Sequence, residues 1–96
     1  MREYQQALLA KADFPEAQLA IAGTALVQRN FTGAEQAFAE AVRMDPQLVE
    51  AWFMLARIRA AEGRVTDAEN TLKSAMAANP DDQGLAALLN DLQKAP

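Results

Sequence analysis

The chain has 96 residues, of which 51% are apolar, and its thirteen acidic and nine basic side chains give a net charge of -4. A chain of this length buries roughly 60% of its unfolded surface around one core, so we predict a single domain. The negative charge opposes binding to nucleic acid or to an anionic membrane, and the apolar stretches are too short to span a bilayer. The lack of Cys and His removes thiolate nucleophiles, imidazole bases and the common zinc ligands. We therefore predict no cofactor, no metal site, no nucleic-acid partner and no membrane partner, and the sequence indicates no compartment.

Good helix formers dominate the composition, and only four Gly and four Pro occur, so the sequence predicts an all-α fold. In chain order, the predicted helices cover residues 2–11, 15–28, 32–43, 47–62, 66–78 and 82–93. Thr32 with Glu35, and Thr66 with Glu69, form T-x-x-E capping boxes, in which the hydroxyl and the carboxylate each accept a backbone N–H. These boxes predict that helices begin at residues 32 and 66.

Glycine and proline mark where the predicted helices end. Gly63 follows the fourth predicted helix and can take the left-handed conformation that closes a helix. Pro46 and Pro80 follow the third and fifth, and each disfavours helical geometry at the residue before it. Together with the capping boxes, these residues predict tight turns between successive antiparallel helices.

The sequence repeats with a period of 34 residues. Identical pairs at this spacing are Glu16 and Glu50, Ala17 and Ala51, Ala22 and Ala56, Thr32 and Thr66, Ala34 and Ala68, Glu35 and Glu69, Ala41 and Ala75, and Pro46 and Pro80. Alanine-rich helices match by chance at some positions, but caps and prolines do not fall into one register that way. The chain therefore contains two copies of a helix-turn-helix unit.

The two copies resemble the tetratricopeptide repeat, whose pattern is W-x2-L-G-x2-Y…A-x3-F…P. The matching residues are Trp52, Leu55, Ala56, Ala68, Leu72, Ala75 and Pro80 in the second copy, and Ile21, Ala22, Ala34, Phe38, Ala41 and Pro46 in the first. Ala25 and Arg59 stand where the family has tyrosine, and Gln18 stands where it has tryptophan, which we expect to weaken contacts between helices. The resemblance implies helix-turn-helix repeats stacked as a short right-handed α-solenoid.

The resemblance also implies a division of the whole chain, which we predict to be one module. Residues 1–12 are assigned to the second helix of a truncated repeat, residues 15–46 and 49–80 to the two repeats, and residues 82–93 to a terminal capping helix. We expect the chain to be a C-terminal fragment of a longer bacterial protein. Residues 2–18 loosely resemble the start of repeats in some bacterial multihaem cytochromes, although the chain has no CxxCH motif for a c-type haem.

In this family the first helices of successive repeats line a concave groove that takes a peptide or protein partner. The residues that match this groove are Glu16, Leu19, Gly23, Leu26, Val27, Glu50, Phe53, Met54, Arg57 and Ala61. Family members that bind a C-terminal carboxylate use Lys and Asn in the groove, whereas this sequence places Leu19, Gly23 and Phe53 there. The resemblance therefore implies a mostly apolar groove with Arg57 as its cation.

Two interpretations remain open for several of these residues. Leu19, Phe53 and Met54 either contact a partner or pack within and between the repeats. Arg57 either pairs with a partner carboxylate or joins a weak surface pair with Glu50 or Glu62. For Trp52, by contrast, we predict a role in packing between helices.

The sequence offers no set of residues typical of catalysis. The threonines and carboxylates are explained as caps and solvated faces, and the four glycines are isolated rather than grouped in a phosphate-binding loop. We predict a non-catalytic module that binds a protein or peptide. The alternative is a structural module that makes its parent protein a homo-oligomer.

Overall fold

The computed structural model describes residues 14–94, which form five α-helices and no strand within that range. The helices are α1 (Pro15–Val27), α2 (Phe31–Met44), α3 (Val49–Ala61), α4 (Val65–Ala78) and α5 (Gln83–Lys94). Their ends lie within two residues of the predicted ones, and the all-α fold is confirmed. The helix predicted over residues 2–11 lies outside the described residues. None of the described helices is both long and apolar enough to cross a membrane.

The capping boxes predicted at residues 32 and 66 are wrong. Helix α2 begins one residue earlier, and Asn30 caps it by accepting a hydrogen bond from the Gly33 backbone N–H at 3.0 Å. Thr32 therefore lies inside the first turn, where the backbone is already helical and the residue cannot act as a cap. Helix α4 follows Arg64 in the same way, with no hydrogen bond from a side-chain cap, so Thr66 is not a cap either.

The turns α1–α2 and α3–α4 close in the same way, 34 residues apart. Gly63 has a φ of +82°, which is the left-handed conformation predicted for a glycine that closes a helix. Arg29 takes the equivalent position in the first turn, with a φ of +58°. The residue after each donates its backbone N–H to a carbonyl five residues back: Asn30 to Ala25 at 2.8 Å, and Arg64 to Arg59 at 2.9 Å. This pattern closes a helix with a left-handed residue, and only the second turn uses glycine for it.

The prolines end the second helix of each pair, as predicted. Asp45 before Pro46 has φ and ψ of -142° and 94°, and Asn79 before Pro80 has -134° and 66°. The Pro46 carbonyl accepts hydrogen bonds from Trp52 Nε1 at 2.7 Å and Asn79 Nδ2 at 2.8 Å. These bonds fix the turn between α2 and α3 against the end of α4.

The core consists mainly of small side chains in two clusters. The first cluster contains Ala22, Ala25, Ala34, Ala37, Phe38, Ala41, Val42, Ala51, Leu55 and Ile58. The second contains Ala56, Ala68, Leu72, Ala75 and Leu85. Each helix packs against the next one in the chain, and α3 also contacts α5. Alanine allows these close approaches, while a fully buried leucine such as Leu55 or Leu72 contributes about 1.5 to 3 kcal/mol.

Trp52 joins the two clusters. Its side chain is half-buried and packs against both of them, so the predicted packing role is confirmed. The result is a short stack in which α3 is shared between the two parts of the core.

Candidate functional site

Helix α3 presents a stripe of side chains that the core does not cover. Glu50, Arg57 and Ala61 are exposed on it, at spacings of seven and four residues. Phe53 and Met54 lie beside the stripe and are half-buried. All five were predicted groove residues, and a stripe of this spacing lies along one face of a helix.

The corresponding face of α1 is less regular. Glu16 is exposed in the first turn, whereas Leu19, Gly23 and Leu26 are half-buried. Val27, at the end of the helix, is 86% exposed. A single exposed apolar side chain is common on protein surfaces, so Val27 alone does not mark a binding site.

A cavity of about 340 Å³ opens between these two helices and the start of α2. Its lining consists of Leu26, Phe31, Met54, Arg57, Ile58, Ala61 and Glu62. We call this space the apolar cavity, because hydrocarbon side chains make up most of its wall. Its volume lies at the lower end of the range of ligand pockets, which suits one or two side chains of a partner.

The apolar cavity brings together part of the predicted groove. Leu26, Met54, Arg57 and Ala61 line it, whereas Glu16, Leu19, Gly23, Val27, Glu50 and Phe53 lie outside its lining. The sequence analysis did not assign Phe31, Ile58 or Glu62 to the groove. Phe31 is 47% exposed, and its match with Val65 at the 34-residue spacing, where the side chain is also exposed, was the available signal.

Four groove candidates also pack against the core. Leu19, Leu26 and Met54 contact the first cluster and Phe53 contacts the second, and each side chain keeps some exposure. The structure therefore supports the packing interpretation, and contact with a partner stays a prediction. One side of each residue supports the fold, and the other faces solvent.

Arg57 does not join the surface pair considered for it. None of the ion pairs within residues 14–94 includes Arg57, and Glu62 instead accepts a hydrogen bond from Arg64 Nη2 at 2.7 Å. The Arg57 guanidinium carbon lies 6.0 Å from the centre of the Phe53 ring. This distance is at the limit of a cation–π interaction, which orients the charge without neutralising it.

A cluster of charged residues, absent from the sequence predictions, joins the two helix pairs. Glu35 on α2 accepts hydrogen bonds from Arg59 Nε at 2.9 Å and from Arg64 Nη2 at 2.6 Å. Arg59 also donates to Thr71 Oγ1 at 2.5 Å, and Thr71 donates to the Asp67 carbonyl. We call these residues the Glu35 cluster. Arg59 was expected to weaken contacts as a substitute for tyrosine, but it links α2, α3 and α4.

Within the Glu35 cluster, the pKa of Glu35 is lowered and that of Arg64 is raised. Burial raises the pKa of Glu35, but hydrogen bonds from Arg64 and Arg59, together with their charges, outweigh that effect and leave the pKa below its usual 4.5. Hydrogen bonds from Arg64 to Glu35 and Glu62 raise the pKa of Arg64 in turn. Glu35 is therefore ionised near neutral pH and serves as an acceptor, which explains why it does not cap α2.

The aspartates beside the prolines bind backbone groups. Asp45 Oδ1 accepts from the Gln47 N–H at 3.0 Å, and Asp82 Oδ1 accepts from the Leu85 N–H at 3.1 Å. Within residues 14–94, His, Cys, Asp and Glu form no group of three or more that could hold a metal ion. These carboxylates are explained by turns and by the start of α5.

The antiparallel helix pairs and the shared core define the chain as a helical repeat protein. The sequence model of the tetratricopeptide repeat matches residues 25–92. This match covers most of the chain, which therefore belongs to the tetratricopeptide repeat family. No curated protein matches the sequence significantly. Members of the family generally mediate protein–protein interactions and are typically non-catalytic, so the expected partners are proteins.

Proposed function

We propose that the chain is a non-catalytic module that binds a peptide or protein segment on the surface formed by α1 and α3. In this proposal residues 15–46 and 49–80 act as the two repeats, and residues 82–93 act as the terminal helix. The predicted groove residues form the contact surface, with Leu26, Met54, Arg57 and Ala61 at its centre.

The observation that carries this proposal is the apolar cavity. Of the seven described residues that line it, five are apolar, yet it is open to solvent at the point where α1, α2 and α3 meet. Exposed apolar concavities on soluble proteins commonly mark binding sites, because covering them removes hydrocarbon from water. The cavity also lies beside the exposed stripe of α3, so an extended segment could follow α3 and place one side chain inside.

A selection from a random library of 12-residue peptides displayed on phage tests this function. The chain is immobilised as the target, and enriched peptides are synthesised with a fluorescent label for titration. We expect enrichment of specific peptides, and we expect Phe53→Ser to weaken their binding about tenfold or more because an aromatic side chain beside the exposed stripe of α3 is lost. Failure to enrich any peptide would contradict a peptide-binding surface.

The matched control for Phe53→Ser is Met76→Ser. Met76 is half-buried on α4 and packs against the same second cluster as Phe53, so its loss affects the core comparably. Unfolding of both variants in urea separates lost stability from lost contact. Equal loss of peptide affinity in the two variants would show that Phe53 acts only through the fold.

Self-association is a second candidate, and the exposed apolar residues near the α1–α2 turn favour it. Val27 is 86% and Phe31 47% exposed, and a second copy of the chain could cover both. Light scattering after size exclusion, over a hundredfold range of concentration, measures this directly. A dimer that Val27→Asp converts to a monomer would support it, and a monomer at every concentration would contradict it. The proposed parent, with its loose resemblance to multihaem cytochromes, stays a prediction.

A further inference from the structure

We infer that the apolar cavity selects a partner segment with a large apolar side chain followed or preceded closely by a side-chain carboxylate. The apolar side chain enters the cavity, and the carboxylate pairs with Arg57. This inference rests on the proposed function and specifies the chemistry of its partner.

The charges around the cavity support a carboxylate rather than an ammonium or a neutral group. Among the residues that the structure describes, two charged ones line it, Arg57 and Glu62. Glu62 is already bound to Arg64 at 2.7 Å, whereas Arg57 has no ion pair within residues 14–94. The cavity therefore presents one positive charge that no ion pair among residues 14–94 neutralises.

The position of Arg57 is suited to a carboxylate next to an apolar anchor. Its guanidinium is held over the Phe53 ring, and the same residue forms part of the cavity wall. A carboxylate that reaches it becomes part of a charge-assisted hydrogen bond at the rim of an apolar site, where water competes less than on an open surface. The guanidinium can bind both oxygens of such a group.

The negative charge of the whole chain does not oppose this selection strongly. The net charge of -4 repels an acidic segment at long range, but added salt screens charges over about 8 Å at 0.15 M. The pairing with Arg57 acts at contact distance and persists under those conditions. Added salt weakens the long-range repulsion, which raises affinity, and slightly weakens the pair with Arg57, which lowers it. The two effects oppose each other, so affinity should change little between low and moderate salt.

The selected peptides test this inference by their composition and by a double-mutant cycle. We expect an apolar residue, Leu, Phe or Met, within two positions of Asp or Glu in most enriched peptides. Changing that Asp or Glu to its amide should weaken peptide binding to the wild-type chain about tenfold. The same change should have little effect on peptide binding to the Arg57→Gln variant. Each peptide is titrated both with an amidated C-terminus, so that any acidic contact comes from a side chain, and with a free one. Binding that requires the free C-terminal carboxylate would overturn the inference.

Two variants with matched controls locate the contact. Ala61→Trp fills the cavity from an exposed position, and Ala77→Trp places the same side chain on an exposed position of α4. Lys73→Gln removes a positive charge from an exposed position of α4 and is the control for Arg57→Gln. We expect the α3 variants to lose about tenfold in affinity and both α4 controls to bind as the wild type does. Circular dichroism of each variant confirms that its helices are intact.

The outcomes separate this inference from the function on which it rests. Peptides that bind through Phe53 but carry no acidic preference, or that bind Arg57→Gln equally well, would overturn the inference and leave the binding function standing. Peptides with basic rather than acidic neighbours would overturn it as well. Failure to find any binding peptide would contradict both the inference and the proposed binding function.

Discussion

Arg29 holds a backbone conformation that the second repeat gives to a glycine. Its φ of +58° lies in the left-handed region, where a side chain costs about 1 to 2 kcal/mol relative to ordinary helical geometry. The equivalent residue, Gly63, avoids that strain. The turn between α1 and α2 is therefore strained at a position where the sequence showed no glycine.

Arg29→Gly should stabilise the chain by about 0.5 to 1 kcal/mol. The substitution relieves the strained φ, and the greater freedom of glycine in the unfolded chain offsets part of the gain. Urea unfolding at pH 7 measures the change. Gln28→Gly is the control, because Gln28 has an ordinary φ of -84° and glycine there only adds freedom to the unfolded state. A loss of stability in Arg29→Gly would contradict the assigned strain.

At the scale of one helix, two glycines inside helices face different surroundings. Gly23 lies within α1, and a Cβ there would meet nothing within 4 Å. Gly33 lies in the first turn of α2, and a Cβ there would come 2.6 Å from Nδ2 of Asn30. Asn30 is the cap of α2, so the second glycine keeps the cap in place.

Gly23→Ala should raise the free energy of unfolding by about 0.5 to 1 kcal/mol, because alanine is the better helix former. Gly33→Ala should show no such gain, since the displaced Asn30 cap is worth about 1 kcal/mol. The free energy of unfolding in urea is measured for each variant and compared with that of the wild type. Each substitution is then the control for the other. Equal gains in both variants would show that Asn30 does not hold α2.

The helix bounds were predictable because their signals are local. Proline after the end of a helix and glycine at the turn that closes one act on neighbouring residues, and both were placed correctly. The helix starts were predicted near the right residues for a wrong reason. A threonine followed three residues later by glutamate matches a capping box, but Asn30, a common N-cap residue, lies two residues earlier and was a local signal that the sequence analysis missed. The two arginines that Glu35 binds lie 24 and 29 residues further along the chain, so no local pattern shows them.

At the scale of the whole molecule, the Glu35 cluster connects the helix pairs. Glu35 bonds to Arg59 and Arg64, which lie 24 and 29 residues further along the chain. Only 17% of the Glu35 side chain is exposed, so these pairs are better shielded than ordinary surface ion pairs. No periodicity predicts such partners, because the equivalent of Arg59 in the first repeat is Ala25.

Glu35→Gln should lower the free energy of unfolding by about 1 kcal/mol at pH 7, since the charge that holds both arginines is lost. The pKa of Glu35 is lowered in the folded chain, so its ionised form stabilises the fold above pH 4.5. As the pH falls below that value the stabilisation is lost, and the wild type and Glu35→Gln should converge. Unfolding in urea between pH 3 and 7 measures the difference. A constant difference across this range would contradict the assigned shift.

Glu69→Gln is the matched control for this pH dependence. Glu69 occupies the same position 34 residues later and has no ion pair within residues 14–94. Its substitution should change stability little at any pH. A loss as large as that of Glu35→Gln would indicate a general effect of acidic residues on α2 and α4.

The repeat fold followed from the 34-residue period, and the candidate site followed from it only in part. The period predicted which face of α3 is exposed, because equivalent helices in a repeat expose equivalent faces. It could not show that Phe31 and Ile58 close a cavity with Leu26 and Met54, since that depends on how α1, α2 and α3 meet. Nor could it show that Glu62 pairs with Arg64 and leaves Arg57 as the charge of the site.

The most direct test of the binding account is to map a selected peptide onto the chain by NMR. The backbone amide signals of the ¹⁵N-labelled protein are followed while the tightest peptide is added. The account predicts that the largest shifts occur at Leu26, Phe31, Met54, Arg57 and Ala61. Shifts concentrated at residues 70–74 of α4, or at residues 79–82 before α5, would contradict it, because binding would then occur away from the apolar cavity.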